Sequence, residues 1–139
     1  MPVKWLNGGR GSAETVRAHA EAMWAADGPI FTFGIHPASR DTLAGTIDVQ
    51  LHHPYATPEQ ANLAFGLYPA WRGRGLATRA VLLAVRSLHE RTNIKQALIR
   101  VDPANTASSA VARRAGFRLA ETTFQAERGE LDWFIRNVG

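Results

Sequence analysis

A chain of 139 residues with 45% apolar content has material for one core and not for two, so residues 1–139 are expected to form a single domain. The absence of cysteine excludes a disulfide framework and any thiolate metal site. The net charge of +4 comes from basic residues interleaved with acids and never massed in a block, which favours ordinary surface charge plus a local anion site over a nucleic-acid face.

No stretch near the N-terminus reaches about seven consecutive apolar residues and none elsewhere reaches about twenty, so neither a secretory leader nor a membrane span is expected. The cytoplasm is the default compartment. From Ser12 to Ala26 the pattern is helical, with Ser12 as N-cap, Glu14 in the first turn and Val16, Ala20, Met23 and Trp24 near one face. Gly28-Pro29 ends it. Ile30 to Ile35 alternates with Phe31, Phe33 and Ile35 on one side, and Leu43, Gly45, Ile47, Val49 and Leu51 alternate with polar neighbours, so two strands are expected to pair as an antiparallel hairpin. His52 to Gln60 is a surface connection. His52 and His53 are adjacent, point oppositely on an extended chain and do not form a metal pair.

Asn62 to Tyr68 reads as a third strand with Leu63, Phe65 and Leu67 on one face, closed by Pro69. A helix beginning near Leu76 carries Ala77, Ala80, Val81, Ala84, Val85 and Leu88 at helical spacing, with Leu82 and Leu83 widening the apolar face, and ends around Glu90 to Asn93. Ala97 to Val101 is a short strand expected to lie parallel to the Asn62 to Tyr68 strand. After the loop Asp102 to Thr106, a second helix from Ala107 to Ala115 stops at Gly116, a good C′ residue. Thr122 to Ala126 and Leu131 to Arg136 finish the sheet around the turn Glu127 to Glu130.

The join between the third strand and the first of these two helices is the stretch Trp71-Arg72-Gly73-Arg74-Gly75-Leu76-Ala77. Gly73 and Gly75 admit backbone conformations closed to other residues and let the main chain approach an anion, and the helix that follows turns unpaired N–H groups toward it. Glycines in a loop also serve simply as turn-makers. With Arg72 and Arg74 beside them, the stretch reads as a pyrophosphate cradle. A Rossmann fingerprint would need an acidic residue about twenty positions on, within a larger parallel sheet, and a P-loop would need its Lys-Ser/Thr pair; neither is present.

The run Arg72 to Ala77, followed by a helix, a strand and then Asn105-Thr106-Ala107-Ser108 through Arg113-Arg114-Ala115-Gly116-Phe117, resembles the GCN5-related N-acetyltransferase (GNAT) superfamily. With Gln125-Ala126-Glu127, it is similar more narrowly to the RimJ/RimL-like branch that acetylates N-termini of ribosomal proteins. The resemblance implies an α/β fold, a mixed, mostly antiparallel sheet flanked by helices around a strand, phosphate loop, helix, strand core. It also implies acetyl-CoA as acyl donor, a primary amine as acceptor and no metal. The expected contacts with acetyl-CoA are the loop residues Arg72, Gly73, Arg74, Gly75, Leu76, Ala77 and Thr78, the strand residues Phe65, Leu67 and Tyr68, and Asn105 and Ser108. In the family the strand before the loop splays from the next, often at a bulge, and its free backbone groups pair with the pantetheine arm. Gly66 stands where a bulge would form or where packing is relieved. Asn105 reads as a pantetheine contact, a helix cap, or both.

Amine acetylation needs an unprotonated nucleophile, a polarised thioester carbonyl and a proton for the departing thiolate. The resemblance places the base at Glu127 and the thiolate's proton donor at Ser108, against the plainer readings of a solvated turn residue and a helix cap. The oxyanion donor would be a backbone N–H around Leu67 or Tyr68. Many relatives carry a Glu where this chain has Asn62, and others a Tyr where it has Ala112. Relatives of the branch also have a first strand and first helix before the segment equivalent to Val3-Lys4-Trp5-Leu6, and this sequence is expected to start after that strand and helix. An exposed sheet edge would then favour a homodimer. A non-catalytic acyl-CoA-binding module is the alternative.

Overall fold

The computed structural model describes residues 4–7, 30–37, 42–51, 55–127 and 129–139. Among the described residues seven strands form one sheet in the order β1-β2-β3-β4-β5-β7-β6. They are β1 (Lys4–Asn7), β2 (Ile30–His36), β3 (Gly45–Gln50), β4 (Gln60–Leu67), β5 (Gln96–Val101), β6 (Arg118–Gln125) and β7 (Gly129–Asn137). Two helices are described, α1 (Leu76–Arg91) and α2 (Thr106–Arg114). Strand β1 runs parallel to β2, β4 runs parallel to β5, and the remaining pairs are antiparallel. The mixed α/β architecture is the one expected from the sequence. The expected helix from Ser12 to Ala26 and the residues His52 and His53 lie outside the described residues.

Period-two burial drives the sheet. Phe31, Phe33 and Ile35 of β2, Ile47 and Val49 of β3, and Leu63 of β4 fall on one face and are almost fully buried. Helix α1 covers that face with Ala77, Ala80, Val81, Ala84, Val85 and Leu88. Truncating Leu88, which has no exposed surface, would cost about 2–5 kcal/mol by opening a cavity. The apolar stripe is narrower than its sequence suggests, because Leu82 is exposed and only Leu83 packs against the core. Helix α2 packs on the same face: Ala112 and Ala115 join the core, and Arg136 on β7 donates to the Ala115 carbonyl at 2.6 Å.

The end of α2 is fixed by Gly116 at φ +85°. Its N–H donates to the Arg113 carbonyl at 3.0 Å, and the Phe117 N–H to the Ala112 carbonyl at 3.0 Å, the bond pair of a Schellman motif. Phe117 then enters the core. Strands β6 and β7 run longer than their alternation indicates, and a register shift between Leu119 and Glu121 bends β6. No helix among the described residues is long and apolar enough to cross a membrane.

Candidate functional site

Strand β4 is bonded differently along its two edges. Against β3 the register is continuous from Asn62↔Gln50 to Leu67↔Gly45, whereas against β5 it covers only Gln60, Ala61 and Asn62. The strands therefore part beyond Asn62. Three bonds show which groups face the gap: the Tyr68 N–H donates to the Ala44 carbonyl (2.8 Å), the Glu59 carbonyl accepts from Lys95 N–H (2.7 Å), and the Leu67 carbonyl accepts from Arg72 Nε (3.1 Å). Even-numbered residues thus turn their backbone groups to β3 and odd-numbered ones away from it, so Phe65 and Leu67 present theirs to the open edge.

The parting is made without a bulge at Gly66, which keeps its place opposite Thr46, and this corrects the expectation drawn from its position. The backbone of β4 approaches β3 most closely at Gly45 among the described glycines. A Cβ there would lie 2.1 Å from the Gly66 carbonyl oxygen and 2.8 Å from Leu67 Cα. Only glycine lets the end of β4 come this close to β3. Gly45 carries no sequence signal of this role, because the demand comes from a neighbouring strand.

After Leu67 a 3-10 turn over Pro69–Trp71 leads into the glycine loop. Gly73 and Gly75 have φ of +79° and +77°, conformations in which other residues are strained. Gly75 caps α1, and its carbonyl accepts the first helical bond, from Arg79 at 3.1 Å, so the N–H groups of Leu76, Ala77 and Thr78 precede any intrahelical acceptor. Arg72 ties the loop to the end of β4 through Leu67, and Arg74 lies over the Trp71 ring at 5.0 Å. On the far side Asn105 caps α2, its Oδ1 accepting from the Ser108 N–H at 3.1 Å.

Between these parts lies a cavity of about 590 Å³. Phe65, Gly66 and Leu67 form one wall, Arg72, Gly73, Gly75, Ala77 and Thr78 the end, and Asn105 and Ser108 the other wall. Its lining suits a ligand with an oxyanion at the loop and hydrogen-bonding groups along β4. Among the described residues no group of three His, Cys, Asp or Glu is placed to hold a metal ion.

A family model described as the acetyltransferase (GNAT) domain matches residues 3–118. The chain belongs to the GNAT acetyltransferase family. Comparison with curated proteins returns no match. Among solved structures, this GNAT domain is similar to a RimL ribosomal L7/L12 alpha-N-protein acetyltransferase in complex with coenzyme A, at TM-score 0.71 and 22% identity over 91% of this chain and 73% of that one. It is also similar to the microcin C7 self-immunity acetyltransferase MccE with acetyl-CoA and AMP (TM-score 0.69, 18% identity, 92% and 72% covered). The aminoglycoside acetyltransferase AAC(6')-Ib with coenzyme A matches at TM-score 0.68 and 15% identity, with 81% and 68% covered. In the RimL crystal form without ligand, the chain spans 64% of the other chain's length. These likenesses are of fold.

Within the GNAT domain the expected contacts separate into two groups. Phe65, Leu67, Arg72, Gly73, Gly75, Ala77, Thr78, Asn105 and Ser108 meet at this cavity. Leu76 is instead buried in the core, Tyr68 is half exposed beyond the end of β4, and Arg74 stacks on Trp71. Tyr68 is also corrected as an oxyanion donor, because its N–H is committed to Ala44, which leaves the N–H of Leu67. Glu127 is exposed in the β6–β7 turn and does not line the cavity, although that turn projects from the same end of the sheet as the end of β4. Asn62 is buried and donates from Nδ2 to Gln50 Oε1 at 2.9 Å, and Ala112 is fully buried.

Sequence reasoning missed one wall. Ala107, Ala110, Val111 and Arg114 line the cavity along a single face of α2. Their spacing of i, i+3, i+4 and i+7 is legible in the sequence, but two alanines and a terminal arginine look like ordinary helix composition.

Proposed function

We propose that this GNAT domain, as a single unit over residues 1–139, transfers an acetyl group from acetyl-CoA directly to a primary amine. The observation that carries the reading is the meeting of three features in one cavity: the unpaired edge of β4, the glycine loop with unspent α1 N–H groups, and the capped start of α2. A pyrophosphate would sit against Gly73, Gly75 and the N–H groups of Leu76 to Thr78, with Arg72 beside it. The pantetheine amides would pair with the backbone of Phe65 as an added strand. The thioester would then lie near the Leu67 N–H, which would receive the oxyanion. Ser108, whose backbone N–H is held by Asn105, would protonate the departing thiolate, and Glu127 would take a proton from the amine.

The solved relatives supply two acceptor classes, a ribosomal protein named for RimL and kanamycin in complex with AAC(6')-Ib. The Gln125-Ala126-Glu127 match favours a protein N-terminus in the RimJ/RimL-like manner. A non-catalytic acyl-CoA-binding module is the second reading, favoured by Asn62, buried and tied to Gln50, and by Ala112, buried where relatives carry a tyrosine. Free CoA thiol released from acetyl-CoA with a panel of amines separates the two. Turnover with any amine supports the transferase, and acetyl-CoA binding without release supports the module.

A further inference from the structure

The face of the sheet turned away from α1 and α2 carries a row that the cavity alone does not explain. Thr46, Asp48 and Gln50 of β3 stand opposite Gly66, Ala64 and Asn62 of β4. Opposed residues of an antiparallel ladder share a face, and the Asn62 to Gln50 side-chain bond lies on this one. Ile47, Val49 and Leu63 occupy the other, under the helices. Two positions of the row lack bulk: Ala64 is exposed, and a Cβ built on Gly66 meets nothing within 4 Å. Gly66 also lines the cavity. A trough across Ala64 and Gly66 therefore reaches the point where β4 leaves β5.

Asp48 is the carboxylate of that trough. It is half-buried and paired with Ala64, with Gly66 and Asn62 as its diagonal neighbours. Ladder geometry puts the opposed Cα atoms ~5.5 Å apart and the diagonal ones ~7–8 Å apart. Among the described residues the Asp48 side chain forms no hydrogen bond or ion pair. Thr32 stands opposite it on β2, Gln50 is occupied with Asn62, and the Arg100 guanidinium on β5 lies between the rings of Tyr55 and Trp133 at 5.2 and 5.3 Å. Asp132, also half-buried, is bonded to Thr122 instead.

An aliphatic amine near neutral pH is an ammonium ion, and a half-buried carboxylate without a partner gains a charge-assisted hydrogen bond from it. We infer that Asp48 docks the ammonium of the acceptor, holding a primary alkylammonium over Ala64 and Gly66 beside the thioester. This deepens the transferase reading and rests on it. The docked ammonium loses one proton to solvent by way of Glu127, and its nitrogen lone pair forms the N–C bond. The C–S bond then breaks, Ser108 protonates the CoA sulfur, and the second proton from nitrogen restores the Ser108 hydroxyl. Products are the acetamide, free CoA and one released proton.

The test measures CoA release with spermidine, kanamycin and the tripeptide Ala-Ala-Ala, alongside acetyl-CoA binding by calorimetry, for the wild type, Asp48→Asn and Asp48→Glu. The expected result is a KM for each amine turned over that rises about tenfold in Asp48→Asn, the scale of one charge-assisted hydrogen bond. Turnover number moves less, acetyl-CoA affinity stays unchanged, and Asp48→Glu recovers part of the loss. An unchanged amine KM in Asp48→Asn overturns the docking role and leaves the transferase intact. A parallel loss of acetyl-CoA affinity overturns it as well, assigning Asp48 to the structure of the sheet. A wild type that binds acetyl-CoA and releases CoA with none of the three amines overturns both readings.

Discussion

The two edges of β4 are made of the same eight residues and do opposite work. Toward β3 the ladder runs from Asn62 to Leu67 and is extended by the Tyr68 to Ala44 bond; toward β5 it stops at Asn62. A strand secured along one side keeps its shape while the other side is left open, because half of its backbone groups stay bonded. The open groups of Phe65 and the N–H of Leu67, whose carbonyl is taken by Arg72, then ask for a partner shaped like another strand. Rigidity on one edge is what makes the other usable.

Breaking the bonded edge should have the largest effect. Gly45→Val places a Cβ 2.1 Å from the Gly66 carbonyl oxygen, so we expect a loss of about 3 kcal/mol or more. Thermal denaturation should show a melting temperature lower by roughly 10 °C. A shift of only a degree or two would mean that β4 does not cross so close to β3. At the loop end, Gly75→Ala forces φ +77° on a residue with a side chain, for a cost of roughly 1–2 kcal/mol. The same melting experiment should resolve it, with acetyl-CoA affinity falling alongside as the cradle distorts.

Smaller effects should fall on ligand and chemistry without touching the fold. Arg72→Ala removes an exposed side chain, so stability should hold while acetyl-CoA binding weakens about tenfold, as for loss of one charged hydrogen bond. Retained affinity in calorimetry would detach Arg72 from the anion. Glu127→Gln should leave acetyl-CoA affinity alone and lower turnover more at neutral than at high pH, where the amine sheds its own proton. Equal turnover across that range would remove Glu127 from the mechanism.

Much of this was legible because local pattern and tertiary demand agree. Phe31, Phe33 and Ile35 alternate in the sequence and are buried together, and Gly116 stops its helix as a Gly at that position should. Gly73 and Gly75 announced their conformations for the same reason. What escaped depends on neighbours distant in sequence. Strand β1 has only four residues, too few for a period to show. Gly45 looks like any strand glycine until β4 is laid across it, and Leu82 lies just off the edge of the buried stripe of α1. The spent N–H of Tyr68 follows from ladder parity, and Asp48 acquires meaning only from a register that sets it opposite Ala64. Sequence period finds faces; register decides which backbone groups remain free.

The central claim is that the open edge of β4 and the glycine loop form one acetyl-CoA site. Titration calorimetry of the intact chain with acetyl-CoA tests it most directly, repeated on Arg72→Ala. Saturable binding of one equivalent, weakened in the variant, is the predicted result. Absence of binding, or binding indifferent to Arg72, would contradict it.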